Sequence, residues 1–174
     1  MHSSLFSMRR TIFFLLPMMV LPFLLLACQR DDTVGVEEIQ MVMPQDGKAV
    51  HPKHGTETWF AYGAMSGEEG TPANGVAQAY LFEDGAYTLT MQLNIEPAAD
   101  GSFYEVWLEE SEDELLSTGH LTNYFGDARH QLTFESDEDL SSLLRVVVTR
   151  ESDDGNPRPS EQVVARGLLK PTER

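Results

Sequence analysis

Cysteine is almost absent from this chain: among its 174 residues there is one, Cys28. A single thiol excludes an internal disulfide framework and any Cys-rich metal cluster. Basic residues are also scarce, 12 Lys and Arg against 28 Asp and Glu, for a formal net charge of −16. A surface of that sign repels phosphate backbones, so nucleic acid is not an expected partner. Catalytic signatures are missing too. There is no G-x-S-x-G nucleophile elbow and no EF-hand spacing, and a serine, histidine and acid set can be assembled only arbitrarily. The expectation is a protein that is not an enzyme and carries no cofactor. No long apolar run follows Arg30.

What is present starts at the first residues. MHSSLFSMRRT holds Arg9 and Arg10, and IFFLLPMMVLPFLLLA, Ile12 to Ala27, has no charge. A positive start followed by an apolar run and small residues is the pattern of an export signal. A spanning helix needs about 20 apolar residues. This run is shorter, and Pro17 and Pro22 each remove a backbone hydrogen bond from it. It ends in Leu25-Leu26-Ala27-Cys28, which resembles a bacterial lipobox. The resemblance implies diacylglyceryl transfer to the Cys28 thiol, cleavage before it and acylation of the new amine. Two or more acyl chains hold stably where one is marginal. Residues 1–27 are therefore expected to be a lipoprotein signal peptide and Cys28 the lipid attachment site. The protein would sit on the cell membrane facing outside the cytoplasm. Gln29, in place of a retaining aspartate, permits the outer membrane where the cell has one. Cleavage removes Arg9 and Arg10 and no acid, leaving the mature chain more acidic still.

Residues 28–55 are expected to form a tether, acidic in QRDDTVGVEEIQ and rich in turn formers in MPQDGKAVHPKHG. Fully flexible, it would span roughly 30 Å root-mean-square. From residue 56 to 174 the pattern is β. In AYTLTMQLNI, Tyr87, Leu89, Met91, Leu93 and Ile95 alternate with Thr88, Thr90, Gln92 and Asn94, the period-two signature of a half-buried antiparallel strand. Asp84-Gly85 before it is a hairpin signal. TETWFAYGAM, GVAQAYLF, FYEVWLEE, LLSTGHL, ARHQLTF, LLRVVVTRE and VVARGLLK supply further strands, LLRVVVTRE being apolar enough to be central. Ser136 is expected to cap one short helix, with Asp137, Glu138 and Asp139 in its first turn. About eight strands with little helix predict an antiparallel, immunoglobulin-like β-sandwich.

Four sets of residues could carry function. His51-Pro52-Lys53-His54 invites a metal, but Pro52 and Lys53 make a poor cage, and His120 and His130 could join only through folding. The acidic runs at 109–114 and 137–139 read as solvated charge. Trp59, Phe60, Tyr62, Phe103, Tyr104 and Trp107 are expected in the core; any exposed aromatic near the loop at 153–159 would mark a partner site. That loop, with Asp153, Asp154, Asn156 and Arg158, joins two strands and is the expected contact surface for a protein of the cell envelope. The alternative reading is an envelope lipoprotein that binds calcium, zinc or copper.

One stretch carries a resemblance. VVVTRESDDGNPRPSEQVVARGLL, Val146 to Leu169, is similar to the C-terminal extracytoplasmic domain of anti-sigma-K factors. The matching positions are Thr149, Glu151, Gly155, Pro159, Ser160 and Gly167. YEVWL, Tyr104 to Leu108, and STGHL, Ser117 to Leu121, match that family's preceding strands, so the resemblance runs over about residues 57 to 170. It implies a sensor-side β module. The cytoplasmic sigma-binding region and the membrane-spanning helix of that family have no counterpart here, so it does not imply sigma inhibition.

Overall fold

The computed structural model describes residues 47–68, 70–111 and 114–173. The expected signal peptide, with Leu25, Leu26, Ala27 and Cys28, and the expected tether up to residue 46 lie outside the described residues. Ten strands follow one another: β1 Val50–His51, β2 Gly55–Gly67, β3 Asn74–Phe82, β4 Tyr87–Asn94, β5 Ser102–Ser111, β6 Glu114–His120, β7 Arg129–Ser136, β8 Arg145–Ser152, β9 Val163–Leu168 and β10 Lys170–Pro171. Eight of them form one path, β6-β5-β8-β9-β2-β3-β4-β7, antiparallel at every step. Just beyond β6, Thr122 and Gln131 exchange backbone hydrogen bonds of 2.8 and 2.9 Å. The path therefore nearly closes into a barrel-like sandwich.

Alternation explains the interior. Tyr87, Leu89, Met91, Leu93 and Ile95 all point into the core, while Gln92 and Asn94 face solvent. Val146 and Val148 of β8 join them from the other side, with Tyr104, Val106 and Leu108 of β5. β8 lies between β5 and β9, the central position its composition predicts. Gly85 takes φ +88°, a conformation that favours glycine, and lets the Ala86 amide bond Asp84 Oδ1 at 3.0 Å in the β3–β4 turn. At Gly75 a side chain would run into the backbone of Gln92 on β4, so strand contact requires glycine there.

Three expectations need correction. No helix occurs among the described residues. Ser136 Oγ does accept the Glu138 amide, at 3.1 Å, and Asp139 Oδ1 accepts the Ser141 amide, at 2.9 Å. These are local side-chain turns that compete with a helix. Leu140 is drawn into the core and sets the path instead.

Second, the fold begins before residue 56. Ala49 is fully buried, β1 pairs with β2, and Glu57 donates its amide to Ala49 O at 2.9 Å while its carboxylate accepts the Ala49 amide at 3.0 Å. The end of the expected tether is thus a strand on the barrel. Third, the aromatics divide. Tyr104 and Trp107 are buried, but Tyr62 is half exposed, and Phe60 belongs to a second cluster with Ala49, Tyr80 and Phe82. Phe60 and Tyr80 are cross-strand partners on the outer face of β2 and β3. Ala49, just before β1, packs into that cluster.

Candidate functional site

Strand register sorts the connections between the two ends of the barrel. Ser66 pairs with Asn74, Asn74 with Asn94, Asn94 with Arg129, and Ser102 with Ser152. The β2–β3, β4–β5, β6–β7 and β8–β9 connections therefore share one end. Backbone bonds stitch three of them together: Ile95 N to Ala128 O at 2.9 Å and Asp153 N to Gly101 O at 3.0 Å.

Tyr124 and Phe125 lie in the β6–β7 connection at this end, 63% and 62% exposed. They are held by local chemistry. Asn123 Oδ1 accepts the amides of Phe125 and Gly126, at 3.2 and 2.8 Å, and its Nδ2 donates to Asp127 O at 2.6 Å. An asparagine bonding its own following backbone is a self-contained turn. The Arg129 guanidinium lies 4.2 Å from the centre of the Phe125 ring and is clamped to Asp127, 2.6 Å at its shortest. That pair holds the Asp127 carboxyl below the usual carboxylate range.

Behind the turn, buried His130 donates Nδ1–H to Ala128 O at 3.0 Å and meets the Tyr104 ring edge-on at 5.5 Å. The Tyr104 hydroxyl donates to Glu96 O at 2.9 Å and accepts from Arg150 at 3.2 Å. A continuous set of contacts thus runs from β8 through β5 and β7 to the aromatic turn. Sequence reading missed Tyr124 and Phe125. The available signal was Asn123-Tyr124-Phe125-Gly126, an Asx-Gly turn with two aromatics at its tip.

The expected loop lies at the same end. Asp153, Asp154, Asn156 and Arg158 are all exposed. Asp154 Oδ1 accepts the Asn156 amide at 2.9 Å, and Asn156 Oδ1 accepts the Arg158 amide at 3.2 Å. The loop returns through Ser160, whose amide donates to both oxygens of buried Glu151, at 3.0 and 3.1 Å, and whose hydroxyl donates to Arg150 O at 2.7 Å. Beside it, on the outer face of β8 and β9, runs an open groove of about 740 Å³ lined by Val147, Thr149, Pro159, Val163, Arg166 and Leu168 among others. Thr149 Oγ1 accepts the Trp107 indole N–H at 2.8 Å under it.

The opposite end holds His51 and His54. His51 and His54 are buried, and each offers a ligand atom that lies with one of Glu135 inside 4.8 Å. Their arrangement is not a ready-made cation cage. The rings stack at 4.5 Å with 26° between their planes, so a cation bonded to both would lie well outside each ring plane. His51 Nδ1 accepts the amides of Lys53 and His54, at 3.3 and 3.2 Å, which leaves the ring proton on Nε2. His54 Nδ1 donates to Asp84 at 2.6 Å, and that bond, first among its causes, lowers the Asp84 pKa. His120 stands elsewhere, against Phe103 at 4.0 Å.

Among the described residues the class is an all-β, antiparallel, nearly closed domain with four inter-strand connections at one end. No family model, curated protein or solved structure matches the chain.

Proposed function

We propose that this chain is a lipid-anchored, extracytoplasmic binding module of the cell envelope, an immunoglobulin-like sandwich in kind, whose loop end captures a protein partner. The observation that carries the reading is the pair Tyr124 and Phe125, two large aromatics presented to solvent by a turn that the Asn123 side chain bonds at three points. Aromatic and arginine side chains dominate binding energy at protein interfaces, and a rigid turn loses little entropy on docking. Asp100, Asp127, Asp153 and Asp154 are exposed in the loops of the same end. The partner that suits this end has an apolar pocket with a basic rim.

The anchor half of the proposal rests on the sequence, on Leu25 to Cys28. The likeness of Thr149, Glu151, Gly155, Pro159, Ser160 and Gly167 to the anti-sigma-K sensor domain supports a sensor-side role. Glu151 and Ser160 bond to one another, and Gly167 packs against Met65, so the likeness falls on residues that shape the β8–β9 side.

The test is crosslinking in intact cells through a photoreactive residue at position 125, followed by mass spectrometry. A dominant envelope protein joined at that position, together with a lipid-modified Cys28 peptide, is the expected result. An unmodified Cys28 still joined to its signal overturns the anchor; no crosslinked protein overturns the capture surface. The alternative reading is metal handling at His51, His54 and Glu135. It requires heat in a calorimetric titration with zinc or copper at micromolar protein. For the arrangement described above none is expected.

A further inference from the structure

Strand register lays out the outer face of β2, β3, β4 and β7. One row of neighbours across it reads Tyr62, Gln78, Thr90 and Thr133, and the next reads Ala64, Val76, Gln92 and Gln131. In a chain with 28 acidic residues these two rows hold none, and they hold no basic residue either. Charge returns only in the flanking rows, each time at the β7 end: Arg129, clamped to Asp127, on one side and Glu135 on the other. A groove of about 420 Å³ lies in this face, lined by Val76, Gln78, Thr90, Gln92, Gln131 and Thr133 among others. Its volume falls in the range of small-ligand sites. Gln92, Gln131 and Thr133 are exposed, and Val76, Gln78 and Thr90 are half-buried.

We propose that this face binds a neutral glycan, a chain of uncharged hexose or N-acetylhexosamine rings. Gln78, Gln92 and Gln131 take its hydroxyls, and Tyr62 packs on the C–H face of one ring.

The side chains on the face select that ligand. Each carboxamide offers two donors and an acceptor with two lone pairs. Neighbouring hydroxyls on a sugar ring, each both donor and acceptor, meet such a group at two points. The three carboxamides stand on three adjacent strands, about 4.8 Å apart from one strand to the next. That spacing is close to the length of one sugar ring, so successive rings of a chain laid across the strands each reach a carboxamide. The groups are available. Gln78 Oε1 accepts the Tyr80 hydroxyl at 3.4 Å, which leaves its N–H donors, and the Gln92 and Gln131 carboxamides bond to no described residue. Tyr62, cross-strand neighbour of Gln78, is 49% exposed, with its ring nearly parallel to that of Phe60 at 6.0 Å. A half-exposed ring held in this way is a platform for the apolar face of a sugar.

Other ligands suit the face poorly. An anionic chain meets a molecule of net charge −16 with no cation in the groove. A cationic ligand finds no carboxylate in either row. The core of a protein interface is rich in aromatic side chains, methionine and arginine, and here Tyr62 and Val76 are the only large apolar groups in the two rows. Because no ionised group has to be desolvated, the neutral groove binds hydroxyls without the cost that buried charge carries. The same reasoning makes binding at this face independent of salt, unlike capture of a basic-rimmed partner at the loop end.

A nuclear magnetic resonance titration of the isotope-labelled full chain tests this. The probes are cellohexaose, maltohexaose, chitohexaose and mannohexaose, each raised to about 10 mM, enough to detect a Kd of about 1 mM. At least one of them should give saturable shifts centred on the side-chain amides of Gln78, Gln92 and Gln131. The affinity should hold between about 0.05 and about 0.5 M salt. Tyr62→Ala and Gln92→Ala should each weaken binding at least about fivefold, the size of one lost stacking contact or hydrogen bond. Alanine at both Tyr124 and Phe125 should leave it unchanged, so this site and the capture surface stand or fall separately. Should Tyr62→Ala disturb the Phe60 cluster, Gln92→Ala and Gln131→Ala, both at exposed positions, decide in its place. No saturable shift with any of the four probes overturns the proposal. So do shifts centred elsewhere, undiminished binding in the glutamine variants, or a face found covered by a second copy of the chain in sedimentation.

Discussion

Alanine at both Tyr124 and Phe125 will remove partner capture while leaving the fold intact. The expected loss is at least roughly a hundredfold in affinity, about 2.7 kcal/mol. The melting temperature should move by no more than about 1 °C, as for exposed positions without buried partners. Both side chains are more than half exposed, and the Arg129 guanidinium lies 4.2 Å from the centre of the Phe125 ring. The turn is held by Asn123, which the double variant leaves in place. A control follows from that: Asn123→Ala should also weaken capture, less steeply, by loosening the presentation of rings that are still present. Undiminished capture in the double variant, measured against the crosslinked partner, would remove the aromatic turn from the site.

The fold was legible where one physical rule dominated. In β4 the period-two pattern decides everything, since one face of that strand packs into a closed interior. β8 announced its central place by being apolar on both faces; Val147 is buried outside the barrel as Val146 and Val148 are within it. Elsewhere long-range packing overrode local chemistry. Ser136 carries a helix-cap signal, and its hydroxyl makes a cap-like bond, but the connection must deliver Leu140 to the core before β8 begins, and no helix follows. His51-Pro52-Lys53-His54 is polar and turn-rich, so it reads as exposed chain. Its burial depends on Phe82 and Asp84 on the β3–β4 hairpin and on Glu135 on β7, all distant in sequence. The candidate site was half legible for the same reason. Asp153 to Arg158 are marked by turn formers, but only the register of β4, β5 and β7 places Tyr124 and Phe125 at their end of the barrel.

Thr149→Val should destabilise the domain by about 1–3 kcal/mol, although valine fills nearly the same volume. Thr149 is 1% exposed and Trp107 3%, and the threonine hydroxyl is the acceptor for the indole N–H. Valine leaves that donor buried without a partner, which is the expensive half of losing a hydrogen bond. Trp107→Phe removes the donor as well. The double variant should therefore be less destabilised than the two single losses added together, with a coupling of roughly 1 kcal/mol in a double-mutant cycle from chemical denaturation. Additive losses would mean the bond contributes nothing and that packing alone fixes Trp107. The pair also bears on the proposed site. Thr149 lines the groove beside Pro159 and Ser160, and its neighbour Arg150 reaches Tyr104 and, through it, His130 behind the aromatic turn. If this side of the barrel holds the loops in place, Thr149→Val should lower partner affinity under conditions where the domain remains fully folded. Trp107→Phe with Thr149→Val should restore part of it.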